Sequence, residues 1–146
     1  METVASVLKV KGEEVWWIAP SATVYEAIAL MAEKRAGALV VIDEAKLVGM
    51  VSERDYARKV ILLGKSSKQT AVAEIMSYPV ITVTPKHTVD ECLRLVTLNR
   101  VRHLPVVEGN IIRGVVSIGD LVHSVLSMQA HTIDQLETYI TNKYPK

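Results

Sequence analysis

The sequence predicts an α/β fold built from two pseudo-symmetric copies of one small unit, ordered strand, helix, strand, strand, helix. Three observations predict it. Shifted by 65 positions, the chain overlays itself without a gap from Val15 to Tyr56. Each copy carries one amphipathic stretch of helical period. Each then carries two short apolar runs rich in Val and Ile, which suit buried strands.

The overlay is dense. Pro20 meets Pro85, Thr23-Val24 meets Thr88-Val89, and Glu26 meets Glu91. Leu30, Arg35, Leu39 and Val41 meet Leu95, Arg100, Leu104 and Val106. Gly49, Val51, Ser52 and Asp55 meet Gly114, Val116, Ser117 and Asp120. A lead-in repeats at a slightly different offset, where Val4-Ala-Ser-Val-Leu8 resembles Val72-Ala-Glu-Ile-Met76.

The elements follow in order. A short strand, Val15–Ile18 or Val80–Val83, ends before a proline. Thr23 to Glu26 and Thr88 to Glu91 read as capping boxes, in which Thr and Glu satisfy free amides at a helix start. In the helices that follow, Val24, Ala27, Ile28 and Met31 share one face, as do Val89, Cys92, Leu93 and Val96. The apolar runs are Ala38–Ile42 with Leu47–Val51, and Leu104–Val107 with Ile111–Val116. Gly109-Asn110 reads as a tight turn inside the second pair. A second helix starts after Ser52 and after Ser117. Residues 1–64 thus form the first unit with its lead-in, 65–71 a polar connection, and 72–130 the second unit. Gly64 suits a helix C-cap. In residues 131–146, Ile133, Leu136 and Ile140 predict a short amphipathic helix that docks on the body or on a partner chain.

Composition narrows the function. The 146 residues are 49% hydrophobic and 23% charged, with a net charge of +1. That describes a soluble globular protein and argues against a nucleic-acid binder, which usually shows a strong basic excess. Cys92 is the only cysteine, so neither an internal disulfide nor a multi-thiolate metal site is expected, and a reducing cytoplasm is the natural compartment. The N-terminus lacks the basic-then-apolar order of a signal peptide, and no apolar run approaches the roughly 18 residues of a membrane helix. No His/Asp/Glu cluster has metal-ligand spacing. Cys92 sits on an apolar helix face and reads as inert core, and His87, His123 and His131 have no evident partners. No catalytic constellation emerges, so the chain is not expected to be an enzyme.

A family likeness rests on specific residues. The run Arg102-His-Leu-Pro-Val-Val107, followed by Gly114-Val-Val-Ser-Ile-Gly-Asp120, resembles a CBS motif, named for cystathionine β-synthase. Gly37-Ala-Leu-Val-Val-Ile42 with Gly49-Met-Val-Ser-Glu-Arg-Asp55 resembles it too. Two copies in tandem resemble the CBS pair, or Bateman module, and the chain is similar to the standalone CBS-pair proteins of prokaryotes. The resemblance implies two clefts between the halves, which in the family hold AMP, ATP, NAD or S-adenosylmethionine, and modules that stack as a dimer. It implies nucleotide contacts at Thr84, Arg102, His103, Leu104, Pro105, Ser117, Gly119 and Asp120. In the first half it implies them at Gly37, Ala38, Ser52, Arg54 and Asp55.

Each of these residues also has a plain structural reading. Ser52-Glu-Arg-Asp55 and Ser117-Ile-Gly-Asp120 are helix-start signatures with Ser as N-cap. The same geometry serves a ligand, because a carboxylate can accept both ribose hydroxyls and free helix amides attract an anion. The resemblance favours ligand contact at Asp120, and less strongly at Asp55. Arg102 and His103 are either solvated strand-edge residues or phosphate partners, a task that suits the planar guanidinium. Gly37 and Ala38 stand at their matching positions, so the two clefts should differ, with Arg54, which matches Gly119, compensating in part for the basic pair that the first half lacks. Thr84 is a turn residue or an adenosine contact. Trp16 and Trp17 face opposite sides of a strand, one toward core or interface. Arg54, Arg58, Lys59, Lys65 and Lys68 read as a solvated basic face.

The expected function is a regulatory module that binds an adenine nucleotide, AMP first, and signals to an effector protein. A homodimer is expected from excess apolar surface at Leu121, Val122, Val125 and Leu126 and at Val60, Ile61 and Leu62. Two rivals are an interaction protein with vestigial clefts and a nucleic-acid binder.

Overall fold

The computed structural model describes residues 2–143. The first half contains β1 (Trp17–Ile18), α2 (Val24–Lys34), β2 (Ala38–Asp43), β3 (Lys46–Ser52) and α3 (Glu53–Tyr56). Helix α3 runs on as a π-helical turn, Ala57–Ile61. The second half contains α5 (Val89–Asn99), β4 (His103–Glu108), β5 (Ile111–Ser117) and α6 (Ile118–Lys143). A lead-in helix precedes each half, α1 (Val4–Lys11) and α4 (Val72–Ile75).

One expected capping box forms in full and the other by half. The hydroxyls of Thr23 and Thr88 accept the amides of Glu26 and Glu91, but only the Glu91 carboxylate accepts a cap amide in return, that of Thr88. Strands β2 and β3 pair antiparallel, as do β4 and β5, with register shifts at the matching places Val41/Ile42 and Val106/Val107. Gly109 makes the second turn at φ +62°, where a residue without Cβ is unstrained.

The first strand differs between the halves. Trp17 and Ile18 pair in parallel with Val40 and Val41, and the Val40 amide donates to the Trp16 carbonyl at 3.2 Å. At the position matching Val40 stands Pro105, which has no N–H to give. The second half keeps only the bridge from Val83 to Val106, so the expected strand Val80–Val83 does not form.

The lead-ins are exchanged. Val4, Val7 and Leu8 of α1 pack into the second core, with Cys92, Leu104 and Leu121. Val72 and Ile75 of α4 pack into the first core, with Val24, Leu39 and Val60. Matching hydrogen bonds hold both: Val4 and Ala5 amides donate to His87 and Pro85 carbonyls, and Val72 and Ala73 amides to Ala22 and Pro20 carbonyls. Two matching glycines make room. A Cβ on Gly114 would lie 2.8 Å from Leu8 Cδ2, and one on Gly49 would lie 2.6 Å from Met76 Sδ. The expected division at residue 64 therefore cuts through both cores, because each lead-in buries its apolar face on the other half.

The expected break before residue 131 is absent. Helix α6 is continuous to Lys143, since neither Gly nor Pro follows Gly119 within it. Ile133 and Leu136 are each 56% exposed, so the tail does not dock on its own body. Residues 144–146 of the expected tail helix lie outside the described residues.

Candidate functional site

Where the chain enters β2 and β4, matching backbone bonds tie each strand to the helix that follows its hairpin. The Glu53 amide donates to the Gly37 carbonyl at 3.1 Å, and the Ile118 amide to the Arg102 carbonyl at 2.9 Å. These bonds bring both strand entrances to the boundary between the halves. A Cβ placed on Gly37 would lie 3.5 Å from His103 Nε2.

A cavity of about 530 Å³ opens there. Gly37, Ala38, Ser52, Arg54 and Asp55 line it from the first half, and Arg102 and His103 from the second. Met50, Glu53, Arg58, Lys59, Ser77, Arg100 and Val101 complete the wall. The size suits a small-molecule ligand. Another cavity, about 520 Å³, lies between the two hairpin turns, lined by residues such as Glu44, Lys46, Gly109 and Asn110. Volume does not separate the two; charge does, because the cations gather in the first.

Within the cation-rich cavity, Asp55 is anchored as a cap. Its Oδ2 accepts the Ser52 amide at 2.9 Å and the Ser52 hydroxyl at 3.0 Å. Its Oδ1 lies 3.3 Å from Lys59 Nζ, and the Asp55 side chain is 15% exposed. A carboxylate has about four acceptor directions, so Oδ1 retains capacity toward the cavity. Cations crowd one another here: Arg58 chiefly, then burial and Arg102, hold the Arg54 guanidinium below its ordinary range. Burial also pushes the His103 imidazole below its usual value, with Lys11 and Arg102 adding and Asp120 opposing.

The second-half aspartate sits differently. Asp120 Oδ2 accepts the Ser117 amide at 2.8 Å and Lys11 Nζ at 2.6 Å. Lys11 Nζ also donates to the Val115 carbonyl at 2.6 Å. Burial would raise the Asp120 carboxyl, but the Lys11 and Ser117 hydrogen bonds outweigh it and hold it below the ordinary carboxylate range.

The expected site residues therefore divide. Arg102 and His103, grouped by sequence with Ser117 and Asp120, line the cavity beside Ser52, Arg54 and Asp55 instead. Ser117, Gly119 and Asp120 are not among the lining residues of that cavity. Thr84 closes a local turn, its amide donating to His87 Nδ1 at 3.0 Å and its hydroxyl accepting the Lys86 amide. Leu104 is fully buried in the second core, and Pro105 is buried beside it in β4. Trp16 packs on the first core under Lys34, and Trp17 is 54% exposed.

Arg58, read from sequence as a solvated charge, is a wall residue, and Arg100 was not singled out. The repeat carried a signal for the first. Arg54, Arg58 and Lys59 match Gly119, His123 and Ser124, so the helix cations are confined to one half.

The family model of the CBS domain matches residues 9–61 and again residues 72–127. The chain belongs to the CBS domain family. It is similar to the mitochondrial CBS domain-containing protein CBSX3 of Arabidopsis thaliana, 40% identical over 151 residues, covering 97% of this chain and 73% of the relative. A solved structure from Burkholderia ambifaria, named as a candidate signal-transduction protein with CBS domains, is 49% identical. It superimposes at a TM-score of 0.82, covering 86% of this chain and 94% of that one. The hexameric CBS-CP12 protein of bloom-forming cyanobacteria is 26% identical with a TM-score of 0.77, covering 96% and 87%. The tandem CBS pair is thus the fold of this chain, and one of these relatives, the Burkholderia ambifaria protein, is named for signal transduction. Among the described residues, no helix is long and apolar enough to cross a membrane.

Proposed function

We propose that this CBS pair is a sensor that binds an adenine nucleotide in the cavity between its halves. One observation carries the reading: the cavity presents the capped Asp55 carboxylate together with Arg54 and Arg102. A carboxylate can accept both hydroxyls of a ribose, and guanidinium forks pair phosphate oxygens. AMP is the smallest ligand that offers adenine, ribose and phosphate together. ATP and NAD carry the same groups. S-adenosylmethionine carries a sulfonium cation and no phosphate, and the cation-rich wall disfavours it.

Binding signals only through different affinity for two arrangements of the halves or subunits. Of the residues expected to form this surface, Leu121 and Val60 are core residues and Val125 packs on the second core, whereas Ile61, Leu62, Val122 and Leu126 are 56%, 75%, 45% and 58% exposed, surface that suits a homodimer or an effector protein. The role is regulatory rather than catalytic, and a lone cysteine fits a reducing compartment such as the cytoplasm.

Thermal unfolding with AMP, ATP, NAD, adenosine and S-adenosylmethionine tests the reading. A ligand that binds only the folded state raises Tm with concentration. AMP is expected to raise Tm, adenosine to raise it less, and S-adenosylmethionine to leave it in place. No shift with any phosphate-bearing ligand contradicts the proposal.

A further inference from the structure

Helix α6 does not stop where the second CBS motif ends. The motif match ends at residue 127, and the helix runs on to Lys143. At about 1.5 Å per residue its full length is about 39 Å. Leu121 and Val125 pack its first turns on the second core. From Leu126 to Thr138 every residue is exposed. A helical segment that short is marginal in water unless a surface packs against it.

One stripe of the helix is apolar at a particular spacing. Val122, Leu126, Ile133 and Leu136 are 45%, 58%, 56% and 56% exposed. From Val122, alternating steps of four and three residues pass through Leu126 and Gln129 to Ile133 and Leu136, and the sequence continues the alternation at Ile140. That alternation keeps one seam turned toward a neighbouring helix along the whole length, as in a coiled coil. Ile133 and Ile140 take the first apolar position of the heptad and Leu136 the second, a choice that favours two parallel strands.

Three features point to a second copy of this chain as the neighbour. The seam matches itself, since in parallel register Gln129 meets Gln129, and an amide both donates and accepts. The flanks carry no like-charge clash: in that register Val125 and Thr132 face Ala130 and Glu137 of the other copy. The stripe also begins at Val122, inside the CBS motif, so parallel pairing holds both bodies at the same end. A membrane surface fits less well. Between Ile118 and Asn142 there is no Lys or Arg, and Asp134 and Glu137 would meet anionic headgroups.

We infer that α6 is a coiled-coil arm through which two copies of this chain pair in parallel, with Ile133 and Leu136 central to the contact and Gln129 setting its register. The contact lies beyond the CBS motif and does not depend on what the cavity binds.

Light scattering of the full chain at micromolar concentration, without nucleotide, tests this. The parent should show at least twice the mass of one chain. Ile133→Glu and Leu136→Glu should each halve the parent's mass. Neither side chain belongs to a core, and Glu is a good helix former, so body and helix keep their fold. Gln135→Glu and Thr138→Glu add the same charge off the stripe and should leave the mass unchanged. Gln129→Cys reads the register: under mild oxidation it should crosslink two chains through residue 129, while the buried Cys92 stays unpaired. A parent that runs as a single chain overturns the inference, and flotation of that single chain with lipid vesicles would assign the stripe to a membrane instead. Ile133→Glu and Leu136→Glu at the parent's mass also overturn it, because the bodies alone would then hold the assembly. An equal fall in all four Glu variants overturns it as an effect of charge. An associated parent whose Gln129→Cys variant does not crosslink overturns the parallel arrangement.

Discussion

Lys11 Nζ lies 2.6 Å from Asp120 Oδ2, so the last residue of the exchanged lead-in helix holds the carboxylate that opens α6. The matching aspartate, Asp55, faces Lys59 of its own helix at the longer distance of 3.3 Å. Two carboxylates equivalent by sequence thus have different partners, and the difference comes from how α1 crosses to the second half.

Lys11→Met is expected to lose this pair. The Asp120 carboxyl is held below its ordinary value in the fold, so the pair stabilises above the unfolded carboxylate pKa and fades as pH falls through the lower folded one. Lys11 is more than a third exposed, so the loss near neutral pH should be about 1 kcal/mol or less. Urea unfolding at pH 7 and at pH 2 measures it: the variant should be weaker at pH 7 and should approach the parent at pH 2. Equal stability at both values shows that the contact contributes nothing.

Leu8→Ala should destabilise the second half although Leu8 belongs to the first sequence unit. Leu8 is 3% exposed in the core that contains Leu104 and Leu121. Truncating a buried leucine costs about 2–5 kcal/mol. Hydrogen exchange should show the loss at β4, β5 and α6. Loss confined to β1–β3 contradicts the exchange of lead-ins.

The repeat made the fold legible, because capping boxes, helical period and apolar runs agree in both halves. Pairing partners were not legible. Nothing local tells α1 which half to cover; that depends on space left by Gly49 and Gly114, a tertiary fact. Pro105 did carry a readable signal, the missing ladder donor, since its match Val40 uses its amide. The site was half legible for the same reason. The resemblance to the CBS motif marked Ser52, Asp55, Arg102 and His103, but sequence could not show that Arg102 and His103 from one half line the same cavity as the capped carboxylate of the other. Arg100 escaped because a helix C-cap looks like punctuation until the neighbouring half is in place.

His103 should take up a proton when a nucleotide binds near pH 6.5. Burial, chiefly, and the nearby cations Lys11 and Arg102 hold the His103 imidazole below its usual value, with Asp120 opposing. Its lowered value means the empty fold resists protonation, so stability declines as pH falls from the unfolded imidazole value of about 6.5 toward the folded one. A phosphate beside His103 reverses that preference and raises the imidazole pKa. Titration in buffers of different ionisation enthalpy counts the protons, and His103→Gln should reduce the count. The phosphate contributes proton release of its own, near its second pKa of about 6, because the surrounding cations favour its dianion, and the variant retains that release. Identical uptake in parent and variant places His103 away from the phosphate.

Cys92 should resist thiol reagents in the folded protein. It is fully buried, and burial, with Glu91 adding, pushes its thiol up to about 11. Labelling by an aromatic disulfide at pH 8 should be slow in buffer and rapid in urea. Fast labelling of the folded chain means that the second core opens readily.

The central claim is that the nucleotide sits in the cavity that joins Asp55 to Arg102. Calorimetry of Asp55→Asn and Asp120→Asn against the parent, with AMP as ligand, tests it most directly. Asp55→Asn keeps the shape and removes the charge that accepts the ribose hydroxyls, and should weaken binding by about 1.5–3 kcal/mol. Asp120→Asn, which loosens Lys11 instead, should change it by less than about 0.5 kcal/mol. A loss confined to Asp120→Asn, with Asp55→Asn binding as the parent does, contradicts the account.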